Sequence, residues 1–133
     1  MLVPNTWTQA VIEHQLTHRP KLQSQPWPID GYPRRVRTAR HLLESLSRAR
    51  VPVWAVVHLR VSEPEATRRL LARGRLDDTA GTIAERFRFF RENVMPTLEY
   101  LEGALGRGRV LHVDAEGSSE AVYARVNSRL SRL

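Results

Sequence analysis

The sequence predicts an α/β fold with a parallel sheet and flanking helices. Residues 53–61 (VWAVVHLRV) are almost continuously apolar and β-branched, which is typical of a strand covered on both faces. Residues 109–114 (RVLHVD) predict a second short strand, and residues 26–29 a strand or strand end that leads into a turn. Segments with helical periodicity alternate with these strands, and that alternation indicates a parallel sheet.

Two helices are predicted in the first third of the chain. Residues 4–18 carry Trp7, Val11 and Leu16 at helical spacing, and residues 36–46 form one apolar stripe. The segment between the first of these helices and residue 28 is polar and bounded by prolines, so a loop is expected there.

The second half of the chain predicts three more helices. Ser62 and Glu65 have the spacing of a capping box, with Pro64 in the first turn, and Gly74 ends the helix that they begin. The next helix starts after residues 77–79, and Pro96 is expected to kink or split it. The last helix begins at Ser118 or Ser119.

The positive charge is concentrated in the middle of the chain. The formal net charge of the 133 residues is +7, and residues 30–91 alone carry +7. All but one of the 21 basic residues are arginine, whose guanidinium group binds phosphate oxygens in a bidentate manner. The segment therefore predicts a polyanionic ligand, either nucleic acid or a nucleotide. The alternative is that the arginine content reflects coding bias and that these side chains form a solvated surface.

Length and composition exclude several classes of protein. A chain of 133 residues fits one compact domain, and we expect a monomer. The absence of cysteine excludes disulfides, zinc–thiolate sites and thiol nucleophiles, and agrees with a cytoplasmic protein. No apolar run approaches the roughly 20 residues of a membrane helix, and the first residues do not resemble a secretory signal, so no membrane partner is expected.

Charged and glycine-containing segments follow the predicted strands. They are residues 30–34 (DGYPR), 73–78 (RGRLDD) and 114–118 (DAEGS). Ligands of open α/β sheets bind at the carboxyl ends of the strands. Asp30 and Arg34 have chemistry that suits a nucleotide, because a carboxylate orders the waters of Mg²⁺ and a guanidinium holds a phosphate. From spacing alone, the alternative is that these two residues only stabilise a turn.

An ordered set of motifs extends over nearly the whole chain: residues 2–4 (LVP), 30–34 (DGYPR), 69–74 (RLLARG), 75–78 (RLDD), 83–87 (IAERF) and 114–117 (DAEG). In this order and spacing they resemble the adenylate kinase family of nucleoside monophosphate kinases, in its short-lid form. The resemblance implies a P-loop-kinase-like parallel sheet and phosphoryl transfer from ATP to a nucleoside monophosphate such as AMP. It also implies ATP with Mg²⁺ as the phosphoryl donor, and it does not favour nucleic acid as a partner.

The resemblance also implies roles for individual residues. Asp30 would order the water shell of the metal ion. The residues that would bind the monophosphate are Val3, Gly31, Arg34, Thr38 and Arg86. The residues that would contact ATP are Arg73, Ala115, Glu116 and Gly117. The arginines that would act in catalysis are Arg34, Arg75 and Arg86, and the acids that would orient the arginines are Asp77 and Asp78.

The sequence departs from the family pattern at three places. The phosphate loop G-x-x-x-x-G-K-[ST] is absent, and the family's central strand before that loop is absent with it. We therefore expect a partial core domain over 1–133, an N-terminally incomplete chain in which residues 1–25 are the remainder of the monophosphate-binding region. Residues 73–78 form a very short lid, and Thr38 stands where adenylate kinases usually have a glutamine that reads the adenine.

Three functions therefore compete. The ordered motifs predict a nucleoside monophosphate kinase. The missing phosphate loop predicts a non-catalytic nucleotide- or partner-binding remnant. The charge of residues 30–91 predicts a basic nucleic-acid-binding module, whose affinity would fall steeply with salt.

Overall fold

The computed structural model describes residues 4–18 and 24–133. In these residues the chain forms two compact units, one that ends at Val53 and one over Trp54–Leu133. The helices are α1 (Asn5–His18), α2 (Val36–Arg48), α3 (Glu63–Arg73), α4 (Ala80–Phe89), α5 (Met95–Leu105) and α6 (Ser119–Leu130). The strands are β1 (Val56–Arg60) and β2 (Val110–Asp114). The architecture is α/β, as predicted. A single partial core domain over 1–133, with residues 1–25 as the remainder of the monophosphate-binding region and residues 73–78 as a very short lid, stays a prediction.

The first unit is held together by an apolar core between α1 and α2. Leu16 of α1 and Leu42 and Leu46 of α2 are buried against one another, and partly buried apolar side chains from the connecting segments pack around them. Both helices are where the periodicity predicts them. The strand predicted at residues 26–29 is absent: the structure describes these residues, and they form no strand. Two of the four residues are prolines, which have no backbone N–H to donate to a neighbouring strand.

The second unit contains a two-stranded parallel sheet. The register aligns Val56 with Val110 and Arg60 with Asp114. Helices α5 and α6 pack on β2, whose apolar residues are buried. The prediction that residues 53–61 form a strand covered on both faces is wrong for β1, where Leu59 is 50% exposed. Among the residues that the structure describes, β1 has only β2 as a neighbouring strand, so its other edge is open.

Helix α3 is capped by Ser62 at its N-terminus and by Gly74 at its C-terminus. The Ser62 hydroxyl accepts a hydrogen bond from the backbone N–H of Glu65 (3.4 Å), and Gly74 adopts the left-handed conformation (φ +67°). The predicted capping box forms in this direction only. The Glu65 carboxylate, which should return to the Ser62 N–H, instead accepts hydrogen bonds from Arg68 and Arg69 (2.7 and 2.6 Å). A charged guanidinium is the stronger donor, and this competition explains the difference.

The predicted split at Pro96 is present. A π-helical turn over Phe90–Val94 separates α4 from α5, and Pro96 lies in the first turn of α5. Thr97 is fully buried there, and its hydroxyl donates to the Asn93 carbonyl (2.6 Å). None of the helices in the described part of the chain has the length and apolar character needed to span a membrane.

Candidate functional site

Two arginines and two aspartates come together where α3 and α4 meet. This arginine–aspartate cluster consists of Arg73, Asp77, Asp78 and Arg86. Arg73 donates from Nε to Asp78 Oδ2 (3.0 Å) and from Nη2 to Oδ1 and Oδ2 (2.8 and 2.9 Å). Arg86 donates from Nη1 to Asp78 Oδ1 and from Nη2 to Asp77 Oδ2, both at 2.8 Å. One carboxylate thus holds two guanidinium groups side by side.

The cluster is buried at its centre and open at its outer side. The Asp78 side chain is 1% exposed, whereas those of Arg73 and Arg86 are 37% and 39% exposed. Hydrogen bonds from Arg73, with the positive charge of both arginines, lower the pKa of Asp78, although burial opposes this shift. The hydrogen bond to Asp78 raises the pKa of Arg73. At neutral pH the cluster therefore presents two fixed, partly exposed guanidinium groups that can bind a phosphate.

The segment between α3 and α4 is very short. Arg75 follows Gly74 directly and is exposed, and in the described residues its side chain makes no hydrogen bond or ion pair. The start of α4 is fixed by Thr79 and Thr82, which cap the helix reciprocally, and the Thr82 hydroxyl also donates to the Asp77 carbonyl. Thus the structure joins Arg73 and Arg86 but leaves Arg75 apart from them.

The DGYPR turn over residues 30–34 lies in the first unit. Arg34 folds back so that its Nε donates to the Gly31 carbonyl at 2.7 Å. Gly31 has a φ of +70°, a conformation that favours glycine, and a Cβ at this position would lie 3.0 Å from Nη2 at the flexible end of Arg34. Asp30 is exposed and makes no ion pair with Arg34. Arg34 therefore stabilises the turn through the Gly31 carbonyl, without the carboxylate of Asp30.

The remaining residues predicted to bind a monophosphate differ in placement. Thr38 is 3% exposed, and its hydroxyl donates to the Arg35 carbonyl (2.8 Å) and accepts from the Arg35 N–H (3.3 Å) at the start of α2. This hydroxyl serves the helix terminus, and a role in reading a base stays a prediction. Val3 lies outside the described residues.

The loop after β2, residues 114–117, is fixed by side chains from three directions. Arg125 donates from Nη1 to the carbonyls of Asp114 (3.0 Å) and Glu116 (2.7 Å). Arg69 donates to the Gly117 carbonyl (3.1 Å), and the Glu116 carboxylate accepts from the Ser62 N–H (2.8 Å). The contacts of Arg69 and Arg125 with this loop were not predicted from the sequence.

Of these two arginines, only Arg69 has a sequence pattern that predicts a contact of its side chain. Glu65 and Arg69 have the i,i+4 spacing of a helical ion pair, and the structure joins them at 2.6 Å. Hydrogen bonds from Arg68 and Arg69 lower the pKa of Glu65 to about 2. Arg125 lies in α6 with no acidic residue at a comparable spacing, so its contact with the loop could not be inferred.

Two histidines form a hydrogen-bonded pair across the sheet. The Nδ1 atoms of His58 and His112 are 2.9 Å apart, and His112 Nε2 is 2.7 Å from Glu102 Oε1. Burial, followed by the electrostatic interaction with His112, lowers the pKa of His58. Both histidines are only partly buried, and the His112 side chain is 36% exposed.

The described residues contain no group of three or more His, Asp or Glu side chains suited to hold a metal ion. The single exposed carboxylate of Asp30 fits a different type of site. Mg²⁺ retains most of its waters and commonly binds through one or two carboxylates together with the phosphates of a nucleotide. Asp30 is therefore compatible with a metal ion that arrives with ATP.

The chain is similar to curated adenylate kinases over nearly its whole length. It is 35% identical to an adenylate kinase of Synechococcus sp. (strain WH7803) over 130 residues, which cover 98% of the chain and 68% of the relative. It is 37% identical over 131 residues to one from Mycolicibacterium vanbaalenii and 35% identical over 131 residues to one from Mycobacterium tuberculosis (strain ATCC 25618 / H37Rv), with the same coverage of 98% and 68%. No protein-family model matches the chain.

Proposed function

Because the chain belongs to the adenylate kinase family of nucleotide-binding phosphotransferases, we propose that it binds ATP and AMP and transfers a phosphoryl group between them. The arginine–aspartate cluster is the observation that carries this proposal. Asp78 holds Arg73 and Arg86 at 2.8 Å with their outer edges exposed. Fixed guanidinium groups stabilise the negative charge that spreads over a transferring phosphoryl group, which is the main catalytic requirement of this reaction.

We assign the roles of the individual residues from their resemblance to the site residues of the family. Arg73 and Arg86 bind the phosphoryl oxygens with the N–H groups that Asp78 does not use. Arg75 is exposed and adds a third guanidinium. Arg34 binds the monophosphate, and Asp30 holds waters of a Mg²⁺ ion. That ion, when bound, neutralises part of the charge on the phosphates. Residues 115–117 contact the base of ATP.

Nucleotide binding and phosphoryl transfer are tested separately. Calorimetry with AMP, ADP and MgATP measures binding, and a coupled assay with ATP, Mg²⁺ and AMP, GMP, CMP or UMP measures transfer. Arg34→Ala should abolish AMP binding, whereas Arg37→Ala, which removes the same charge from an exposed position on α2, should not. Wild-type protein that binds no nucleotide would contradict the proposal.

A second candidate is a nucleotide-binding protein without kinase activity. The observation that favours it is the absence of the phosphate loop from these 133 residues, since the backbone N–H groups and lysine of that loop hold the phosphates of ATP in the family. Binding of AMP or ATP without turnover on any monophosphate would favour this candidate over the kinase. Affinity for DNA or RNA that nucleotides do not compete for would favour neither.

A further inference from the structure

The parallel ladder between β1 and β2 ends in an unusual way. Arg60 and Asp114 are partners in the register, and the Ala115 N–H donates to the Arg60 carbonyl at 2.7 Å. Bonds in a parallel ladder are evenly spaced, so the next should run from the Ser62 N–H to the Ala115 carbonyl. Instead the Ser62 N–H donates to Glu116 Oε1 at 2.8 Å. A side-chain carboxylate thus takes the place of a main-chain carbonyl.

This exchange joins the loop after β2 to the start of α3. Ser62 is the N-cap of α3, and the other end of that helix carries Arg73. Because the Glu65 carboxylate is engaged by two arginines, it does not reach the Ser62 N–H, and Glu116 satisfies that donor. A single helix therefore carries the arginine–aspartate cluster at one end and the loop's attachment at the other.

Glu116 differs from the other residues that hold the loop. Arg69 and Arg125 donate to loop carbonyls from outside, whereas Glu116 is part of the loop and determines which of its groups enters the ladder. Its own N–H donates to Asp114 Oδ1 at 3.0 Å, which restrains its backbone as well. With Glu116 in the ladder position, the Ala115 carbonyl is left out of the sheet.

We propose that Glu116 is a positioning residue, whose carboxylate replaces the Ala115 carbonyl in the β-ladder and so sets the conformation in which residues 114–117 contact ATP. This inference rests on the proposed function. Without Glu116, the Ser62 N–H loses its acceptor and exchanges faster, and residues 114–117 lose this attachment to the start of α3. A glutamine keeps an acceptor oxygen at the same distance from the backbone, whereas an alanine has none and an aspartate is one methylene shorter.

The test compares variants of the whole chain. Calorimetry with MgATP and AMP is combined with amide hydrogen exchange at Ser62. Glu116→Ala and Glu116→Asp should weaken MgATP binding roughly tenfold, the usual consequence of losing one hydrogen bond to a charged group. Glu116→Gln should stay within about twofold of wild type. Glu120→Ala, which removes a charge from the first turn of α6, is the matched control.

Several results would overturn the inference. MgATP binding by Glu116→Ala equal to that of wild type, or an unchanged exchange rate at Ser62, would show that the carboxylate does not set the loop. Equal losses in Glu116→Gln and Glu116→Ala would show that charge matters rather than the acceptor oxygen. If Glu116→Ala does not fold, the comparison of Glu116→Asp with Glu116→Gln decides the same question. MgATP binding that is the same in wild type and Glu116→Ala would refute this inference alone, whereas wild-type protein that binds no ATP would refute the proposed function too.

Discussion

Asp78→Asn perturbs the arginine–aspartate cluster with almost no change in volume. The carboxylate accepts four contacts, two on each oxygen: Oδ1 from Arg73 and Arg86, and Oδ2 from Nε and Nη2 of Arg73. An amide has one acceptor oxygen, so in either orientation two of the four contacts become donor facing donor. The orientation with the nitrogen in the Oδ2 position keeps the contact of Arg86 and leaves Arg73 with one bond of three.

The expected consequence is a displaced Arg73 guanidinium. Misplacement of a positioning group by about 1 Å costs roughly 100-fold in rate, so we expect a fall of that order in phosphoryl transfer. Binding of AMP through Arg34 should change by less than about twofold, because Asp78 is not part of the DGYPR turn. Steady-state kinetics with ATP and AMP and calorimetry with each nucleotide measure the two effects.

Asp77→Asn is the matched comparison. Asp77 is 67% exposed and makes a single ion pair, with Arg86 at 2.8 Å. Exposed pairs of this type contribute little, so a loss of no more than about fivefold is expected. Equal losses in the two variants, or full activity of Asp78→Asn, would refute the view that the buried carboxylate determines the geometry of the arginines.

Three further predictions concern stability. Leu101→Ala, at a position 4% exposed in the second unit, should lower the free energy of unfolding by about 2–5 kcal/mol in chemical denaturation, whereas Tyr123→Ala, at a position 68% exposed, should change it by less than about 0.5 kcal/mol. Because burial lowers the pKa of His58 from 6.5, the unfolded state binds more protons than the folded state, and thermal stability should fall as the pH drops below 6.5. This fall should be less steep in His58→Gln. If the substitution leaves the dependence of thermal stability on pH unchanged, the reasoning is contradicted. Gly74→Ala meets no atom within 4 Å at its Cβ, and its positive φ should cost about 1–2 kcal/mol; an unchanged denaturation midpoint would refute the assignment of strain.

Local patterns in the sequence predicted the helices and the two strands of the sheet, whereas the strand predicted at residues 26–29 is absent from the described residues. The spacing of apolar residues placed α2, the serine and glycine signals placed the ends of α3, and Pro96 marked the division between α4 and α5. These signals act within a few residues, so one sequence contains them. The open edge of β1 was missed because the apolar stretch 53–61 indicates only that the strand suits burial, whereas burial itself depends on neighbouring strands.

The candidate site was predicted in part, for a related reason. The order of motifs singled out Arg73, Asp78 and Arg86, which the structure joins, but Arg75 makes no contact with them in the described residues. The hydrogen bond of Glu116 to Ser62 links residues 54 positions apart, and no helical or strand periodicity relates them. Contacts of this type follow from the register of two strands, which the sequence does not specify.

The π-helical turn at Phe90–Val94 means that residues 80–105 do not follow one helical wheel. Each residue of an α-helix advances by about 100°, so an extra residue in one turn rotates everything after it relative to a continuous helix. Deleting one residue here would convert the segment into one continuous α-helix, in which Thr97, Leu98 and Leu101 of α5 still face the core that buries them. The positions that tolerate substitution should therefore follow one helical periodicity before Phe90 and a second, rotated one after Val94.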